Sequence, residues 1–368
     1  MTTRSARRHA AARTALGAPS RARVRWPAEW ERHDATWISW PHHTADWPGK
    51  IGTIPWVYAE IARVLAAHER VEILCHSAPI LAAARRTLAA HGVARNVRLH
   101  VCPTDRVWLR DSAPTGVLTR DGALEWVNWA FNGWAKYANH RRDAKVGACV
   151  ARASGAPRRE PMRPDTGARA VLEGGGIETD GRGTMLVTEE WLLSRVQVRN
   201  PGMGRADYER LFAAELGIGH TVWLGQGCVG DDTHGHVDDV ARFVAPGVVA
   251  VAHERDPADA NHRRSLDNVR RLRRARDARG SALTVVTLPF PRAVVMEGTR
   301  LPASYANFYV ANGVVLVPTF NDPADREALG TIARLMPRRE VVGIHAVDLA
   351  WGLGTLHCLT QQQPAARR

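Results

Sequence analysis

Four tight-turn signals recur along the chain at nearly constant spacing, and this repeat restricts the possible folds more than any other feature. Each signal is a dipeptide that ends in glycine and has strand-like apolar residues on both sides, as in a β-hairpin. The turn glycines are Gly122, Gly181, Gly247 and Gly313, so their spacings are 59, 66 and 66 residues. A near-constant period of this length is typical of a repeat fold, in which each module packs against its neighbours.

Helix-like stretches lie between the hairpins, and most are followed by a short apolar strand. The predicted helices are 55–68, 79–91, 206–216, 258–278 and 323–336. The predicted strands are 71–74, 97–101, 221–224, 284–288 and 341–344. The module is therefore hairpin, helix, strand, and the chain has room for five. A closed ring of five such modules is a five-bladed α/β propeller, while an open α/β sheet with hairpins spaced by chance remains the alternative.

The chain is basic, with 50 Lys and Arg against 37 Asp and Glu and a formal charge of +13. Residues 1–25 hold seven Arg and no acid, so more than half of this charge lies at the start of the chain. Phosphate binding needs cations clustered on one face, and the remaining residues show no long basic block. We therefore predict a disordered Arg-rich tail over residues 1–25, a single domain over 26–368, and no nucleic-acid partner.

Two further classes are excluded by the apolar and cysteine patterns. No apolar stretch approaches the roughly 18–20 residues that span a bilayer, so we expect no membrane partner. The five Cys are odd in number and form no CxxC pair, which favours reduced thiols in a cytoplasmic protein over a disulfide or zinc scaffold. Cys75, Cys102 and Cys228 lie in or beside apolar strands, so we predict that they are unreactive thiols of the core. The sequence around Cys149 indicates no function. Cys358 differs because glycines and polar residues flank it.

Polar residues collect just before the hairpins. If the modules are equivalent, these positions lie at one end of the ring and converge near its axis, although they are far apart in sequence. The converging residues are Asp111, Glu173, His236 and Asp238, with Cys358 in the last segment. Alone, a pair such as His236 and Asp238 is more often an ordinary hydrogen bond. A metal cluster with His234 is weakly supported, because no third His or Cys is nearby.

A thiol, an imidazole and several carboxylates in one pocket suit a particular kind of substrate. A proteolytic Cys–His site needs an oxyanion hole and one orienting residue, but not three acids. A planar guanidinium cation, in contrast, pairs through its N–H groups with carboxylates. Carboxylates should raise the pKa of the thiol, and a bound cation should lower it again, which favours the reactive thiolate.

Seven segments carry a resemblance to a known family. They are 27–31, 37–41, 108–111, 172–175, 233–238, 301–309 and 357–364, and they run in order over most of the chain. The chain resembles agmatine deiminases and the related bacterial-type peptidylarginine deiminases of the guanidino-group-modifying superfamily. The resemblance implies a five-bladed α/β propeller with the active site on its axis, a small cationic guanidine as substrate, no metal and no organic cofactor.

The same resemblance implies a role for each converging residue. Cys358 would attack the guanidinium carbon as the nucleophile. Asp111 and Asp238 would each accept hydrogen bonds from guanidinium nitrogens. His236 would protonate the departing ammonia and then activate the water that hydrolyses a covalent thiouronium intermediate. Glu173 would orient His236 or stabilise its charge.

The implied substrate is agmatine, hydrolysed to N-carbamoylputrescine and ammonia, with peptidylarginine or another guanidino compound as the alternative. Trp108 would line the guanidinium pocket. Agmatine carries a second cation at its far end, and Asp231 and Asp232 are the candidate acidic anchors, since the family places acids just ahead of the catalytic His. The family suggests at most a homodimer.

Two positions depart from the family pattern. Trp191 stands where the family commonly has Cys, and Leu353 interrupts a loop that is richer in glycine in many members. Both departures bear on the shape of the pocket and the choice of substrate rather than on the type of reaction.

Overall fold

The computed structural model describes residues 23–93 and 95–367. Most of the predicted tail, residues 1–22, lies outside this range. Its last two residues, however, form strand β1 (Val24–Arg25), which pairs antiparallel with Thr119 and Leu118. The fold therefore begins at least two residues before the predicted boundary. Within the described ranges, no helix has the length and apolar character needed to cross a membrane.

All four predicted hairpins form, and each is antiparallel. Their strands are β5 (Thr115–Thr119) with β6 (Leu124–Val127), β8 (Glu178–Thr179) with β9 (Thr184–Thr188), β11 (Ala241–Ala245) with β12 (Val248–Ala252), and β16 (Tyr309–Ala311) with β17 (Val314–Thr319). The four turn glycines have φ between 69° and 85°. This left-handed conformation favours glycine, which explains why each turn signal ends in that residue.

A helix and a further strand follow each hairpin. The helices are α4 (Val146–Ser154), α5 (Glu189–Leu193) with α6 (Arg205–Leu216), α7 (Ala260–Arg274) and α8 (Ala324–Leu335). The strands are β7 (Arg158–Arg159), β10 (His220–Leu224), β13 (Thr284–Leu288) and β18 (Glu340–His345). Each strand pairs in parallel with the second strand of its hairpin. The predicted module of hairpin, helix and strand is thus present four times.

A fifth sheet joins the two ends of the chain. Its elements are β2 (His33–Ser39), α1 (Ile54–Ala66), β3 (Arg70–Cys75), α2 (Ala78–Ala90), β4 (Val97–Val101) and β19 (Gln361–Pro364). The C-terminal β19 pairs antiparallel with β2, and the strand order is β19-β2-β3-β4. These two strands correspond to the hairpin of the other modules. No fifth turn signal exists in the sequence because nothing connects them directly.

The sheets and helices form a mixed α/β fold of five sheets with three or four strands each, plus a two-stranded ribbon. The ribbon consists of β14 (Val295–Met296) and β15 (Thr299–Arg300), and the remaining helices are α3 (Leu109–Ser112), α9 (Val347–Ala350) and α10 (Leu356–Leu359). Four 3-10 turns cover Thr44–Asp46, Asp143–Lys145, Gly174–Gly176 and Val237–Asp239. The five predicted helices correspond to α1, α2, α6, α7 and α8.

One prediction about the cysteines is wrong. Cys102, just after β4, and Cys149, in α4, form a disulfide with their Cα atoms 6.3 Å apart. The two are 47 residues apart in sequence, so only the packing of α4 against the end of β4 brings them together. Cys75, Cys228 and Cys358 are free and buried.

Candidate active site

The predicted catalytic residues all lie on short helical turns that directly precede the first strand of a sheet pair. Asp111 belongs to α3, ahead of β5, and Cys358 belongs to α10, ahead of β19. Glu173 precedes the 3-10 turn before β8, while His236 and Asp238 start the turn before β11. Four different sheets therefore each contribute a residue from the equivalent position, and all five side chains are buried.

Cys358 is surrounded by acidic groups. Its Sγ is 3.7 Å from Asp238 Oδ2, and Asn307 Nδ2 donates to the same sulfur over 3.1 Å. Burial raises the pKa of the thiol well above its ordinary value, and the carboxylates of Asp238, Asp239 and Asp111 raise it further. Without a bound cation, the side chain of Cys358 is therefore a neutral thiol.

His236 lies between two carboxylates. Its Nδ1 is 3.7 Å from Asp111 Oδ1, and its Nε2 is 3.6 Å from Glu173 Oε2. Burial alone would lower the pKa of this imidazole, but the charges of Asp111 and Glu173 outweigh it and raise the pKa to about 9. The imidazole is thus protonated at neutral pH and can act as a general acid.

Two hydrogen bonds fix the carboxylate of Glu173 beside His236. Arg199 Nε donates to Oε1 over 3.1 Å, and the indole of Trp191 donates to Oε2 over 2.8 Å. Although burial opposes it, the charges of Arg199 and His236 lower the pKa of Glu173 to about 2. The ring of Trp191 also packs edge-on against His236, with centroids 5.4 Å apart. Trp191 therefore orients Glu173 and fills the space beside the imidazole.

Asp111 is held by two donors. Trp134 Nε1 donates to Oδ2 over 2.8 Å, and the backbone N–H of Gly175 donates to Oδ1 over 2.9 Å. Burial raises the pKa of this carboxyl to about 6, and repulsion from Asp238 and Glu173 adds to that effect. The indole hydrogen bond opposes the rise. Sequence reasoning missed Trp134, because nothing in its local pattern distinguishes it from a core residue.

A second histidine, also missed from the sequence, supports Asp238. His357 Nδ1 is 2.7 Å from Asp238 Oδ2, and its Nε2 is 2.9 Å from Glu29 Oε2. Glu29 in turn accepts from Arg110 over 3.2 Å and pairs with Arg242 over 2.8 Å. Burial opposes ionisation of Asp238, yet the hydrogen bond and charge of His357 lower the pKa of this carboxyl. The position of His357 beside Cys358 was the only available sequence signal.

A cavity with about 380 Å³ of empty space leads to Cys358. Its lining comprises Arg106, Trp108, Asp111, Trp134, Tyr137, Asp232, Thr233, Gly352, Leu353 and Cys358. Trp108 therefore lines the pocket. Leu353 has φ of 69°, in the left-handed region that favours glycine, so a bulky side chain stands at a strained position of the rim.

The two candidate anchors for a distal cation lie in different places. Asp232 lines the cavity, where it accepts from Tyr137 Oη over 2.7 Å and pairs with Lys136. Asp231 does not line it. Its oxygens accept from the backbone N–H groups of Thr233, Gly235 and His236 at 2.7 to 2.9 Å, so it shapes the loop that presents His236.

Asp238, Asp239 and Cys358 offer ligand atoms within 4.8 Å of one another, which is the spacing of a metal site. This set contains no histidine. Burial raises the pKa of Asp239 well above its ordinary value, and repulsion from Asp238 and Asp231 adds to this. A carboxyl that retains its proton is a poor metal ligand, so these atoms suit an organic cation better than a metal ion.

Comparisons with known proteins show the family of the chain. The model of the family described as Porphyromonas-type peptidyl-arginine deiminase matches residues 25–364. The chain belongs to this family. It is 35% identical to the agmatine deiminase of Pseudomonas aeruginosa, covering 94% of this chain and 96% of that protein. It is 36% identical to a putative agmatine deiminase of Streptomyces avermitilis, covering 95% and 99%.

Solved structures place the fold in the same family. The agmatine deiminase of Enterococcus faecalis superposes with a TM-score of 0.84 at 29% identity, covering 93% of this chain and 96% of that one. The mixed α/β architecture is therefore that of a Porphyromonas-type deiminase over nearly its whole length.

Proposed function

We propose that the chain is a guanidine deiminase that hydrolyses agmatine to N-carbamoylputrescine and ammonia, a hydrolase acting on C–N bonds of a linear amidine. The observation that carries this proposal is the set of groups around Cys358. A buried thiol faces the carboxylate of Asp238, while Asp111 contacts His236 and lines the same cavity as Cys358. Agmatine deiminases at about 35% identity over nearly the whole chain support the substrate.

Binding is the first step. The guanidinium cation would pair with Asp111 and Asp238, whose Oδ1 is buried and has no hydrogen-bond partner among the described residues. Trp108 would cover the planar group. The added positive charge lowers the pKa of Cys358 and frees its thiolate next to the guanidinium carbon.

Chemistry then proceeds in two halves. The thiolate attacks the guanidinium carbon and forms a C–S bond, and the imidazolium of His236 gives its proton to the departing nitrogen as the C–N bond breaks. The result is a thiouronium on Cys358 and free ammonia. Neutral His236 next takes a proton from water, and the resulting hydroxide adds to the same carbon. The C–S bond then breaks and the proton of the added hydroxyl is lost to solvent, which releases the neutral ureido product and the thiolate.

Glu173 would keep the imidazole in place through both halves. Its own position is set by Arg199 and Trp191, so its negative charge stays close to His236 whether or not substrate is present. Every step uses side chains of this chain alone.

Asp232 would bind the distal ammonium of agmatine, because it is the carboxylate that lines the cavity besides Asp111. An arginine or peptidylarginine substrate would instead need a cation for its carboxylate or polar groups for its backbone. Arg106 lines the cavity, but it already pairs with Asp46 and stacks on the Tyr137 ring at 4.2 Å. The lining therefore favours agmatine.

The architecture that would deliver these residues is a five-bladed α/β propeller. Five sheets of three or four strands and the equivalent positions of the site residues support it. A single domain over residues 26–368, which β1 extends to residue 24, stays a prediction. The homodimer implied by the resemblance and the cytoplasmic location indicated by the cysteine pattern also stay predictions.

Ammonia release measured over agmatine, free arginine, peptidylarginine and a simple alkylguanidine tests the proposal. Agmatine should be turned over fastest. Cys358→Ala should bind agmatine but release no ammonia, and Asp232→Asn should raise KM for agmatine much more than for the alkylguanidine. Asp267→Asn, on the outer face of α7, is the matched control. Turnover of peptidylarginine with none of agmatine would overturn the substrate assignment, and an active Cys358→Ala variant would overturn the mechanism.

A further inference from the structure

Two loop segments that are far apart in sequence line the substrate cavity together. Residues 134–137 form the first and contribute Trp134 and Tyr137, while residues 231–236 form the second and contribute Asp232. Trp134 donates to Asp111 at the guanidinium end, whereas Asp232 is the proposed anchor for the distal ammonium. Neither segment belongs to a helix or strand, so the regular hydrogen bonds of the sheets do not fix the distance between them.

Gln197 contacts both segments through a single nitrogen. Its Nε2 donates to the backbone carbonyl of Trp134 and to that of Asp232, each over 3.1 Å. A carbonyl oxygen can only accept, so the NH₂ group must face the two carbonyls, and both of its hydrogens are used. Gln197 is half-buried in the loop between α5 and α6. A third part of the chain therefore bridges the two segments.

Backbone strain is concentrated in the bridge and in the two segments that it joins. Among the described residues, eight residues other than glycine have positive φ. Four of these belong here, namely Trp134 at 58°, Ala135 at 53°, Gln197 at 47° and His234 at 67°. The left-handed region is unfavourable for residues with a Cβ atom, and it persists where surrounding contacts enforce it, commonly at ligand sites. The two hydrogen bonds of Gln197 are contacts of this kind.

The bridge is itself held from inside the site by Arg199. This buried side chain donates from Nη1 to the backbone carbonyl of Gln197 over 2.8 Å and from Nη2 to that of Thr233 over 2.6 Å. Its Nε donates to Glu173 over 3.1 Å. The position of Gln197 is thus set relative to the catalytic group and not by a surface loop alone.

We propose that Gln197 is a positioning residue that fixes the separation between the two ends of the substrate cavity, and thereby selects the length of the chain between guanidinium and ammonium. One end is Asp111, which Trp134 contacts, and the other is Asp232. A loose connection between the ends would accept guanidines of several lengths, whereas a fixed one favours a single length. This inference rests on the proposed function, because it takes Asp232 as the anchor for the distal ammonium.

Steady-state kinetics over agmatine, its homologues with one carbon fewer and one carbon more, and butylguanidine test this role. Gln197→Met keeps the length of the side chain and removes both donors. We expect KM for agmatine to rise by about threefold to tenfold with little change in kcat, and the preference for agmatine over its homologues to shrink by a similar factor.

Butylguanidine has no ammonium, so its KM should change by less than about twofold in Gln197→Met. Trp134 keeps its own hydrogen bond to Asp111 and its edge-on contact with Phe131, with ring centroids 5.0 Å apart, so the guanidinium end stays in place. In an Asp232→Asn background, Gln197→Met should add little to KM for agmatine, because the group that it positions is already lost. A purely structural role would produce neither pattern.

Gln226→Met is the matched control. Gln226 is exposed, donates to Glu190 over 3.4 Å and does not line the cavity, so its variant should keep the wild-type KM for all four substrates. Gln197→Asn, whose shorter amide cannot reach both carbonyls at once, takes the place of Gln197→Met if that variant does not fold. Failure of both Gln197 variants to fold would show a structural role and would contradict the proposal.

The outcomes separate this inference from the proposed function. If Asp232→Asn raises KM for agmatine but a folded Gln197 variant keeps the wild-type KM and length preference, the role of Gln197 alone is wrong. If Asp232→Asn leaves KM for agmatine unchanged, both the anchor and the role of Gln197 are wrong. A wild type that turns over butylguanidine but not agmatine would contradict the proposed substrate, and with it the role of Gln197.

Discussion

His357 Nδ1 lies 2.7 Å from Asp238 Oδ2, so the residue next to Cys358 in the sequence orients the acid that faces the thiol. The other ring nitrogen contacts Glu29 over 2.9 Å. Burial alone would favour the protonated form of Asp238, and the hydrogen bond to His357 lowers the pKa of this carboxyl.

Removing Glu29 should be costly for stability. Glu29→Gln removes the negative charge that faces His357, Arg110 and Arg242 in a buried cluster. Breaking such a cluster lowers the free energy of unfolding by about 3–5 kcal/mol. Urea unfolding measures the loss. The control is Glu31→Gln, two residues away, because Glu31 pairs with Arg25 at the surface and such pairs contribute at most about 1 kcal/mol. Equal losses for the two variants would contradict this account.

The pH dependence of kcat/KM should have two limbs. Asp111, with a pKa of about 6, must be ionised to bind the cation, so activity should rise through that pH. His236, with a pKa of about 9, must be protonated to release ammonia, so activity should fall through that higher pH. A rate profile for agmatine over this range checks both limbs.

Trp134→Phe should shift only the low-pH limb of the kcat/KM profile. Loss of the indole hydrogen bond removes a donor that favours the Asp111 carboxylate, so the pKa of Asp111 should rise further and the limb should shift to higher pH. Trp129→Phe is the matched control, since Trp129 donates to Thr115 Oγ1 and not to an active-site acid. If the low-pH limb of the kcat/KM profile does not shift in Trp134→Phe, that limb belongs to a group other than Asp111.

Gly175→Ala should abolish activity. A Cβ atom at this position would lie 2.6 Å from His236 Nδ1, 2.8 Å from Asp111 Oδ1 and 3.1 Å from Asp238 Oδ2, so it would force the catalytic groups apart. We expect ammonia release to fall by about 100-fold or more, because misplacement of about 1 Å costs that much. Gly52→Ala has open space around its Cβ and should keep full activity. A Gly175→Ala variant with near-normal kcat would show that the site tolerates this shift.

Reduction of the Cys102–Cys149 disulfide should lower stability more than activity. The bridge closes a long loop, and such a cross-link contributes about 2–4 kcal/mol, mainly by constraining the unfolded chain. Unfolding of Cys149→Ser and of the wild type, each with and without reductant, measures this. The Cys149→Ser variant should show no response to reductant, and a wild type equally insensitive to it would argue that the bridge contributes nothing.

Local chemistry explains what could be predicted. The four hairpins depend on glycines with positive φ, and the helices depend on apolar residues at helical spacing, so each leaves a signal within a few residues. The end of α7 shows how context limits this: the pattern extends to 278, but the helix stops at Arg274 because Ala275 takes an extended conformation. The fifth hairpin left no signal, because β2 and β19 come from opposite ends of the chain.

The residue types before each hairpin, together with Cys358, pointed to a cationic planar substrate, because a thiol among several carboxylates suits such a group. The resemblance to a known family implied the reaction and the role of each residue. The orientation and protonation of those groups depend on tertiary packing alone. Asn307, His357, Trp134 and Arg199 look like ordinary core or loop residues in the sequence, and their importance arises from contacts across 23 to 328 residues of chain. Likewise, burial raises the pKa of Asp111, while the neighbouring carboxylates raise that of His236. Burial and the proximity of these groups are properties of the folded protein and of no single segment.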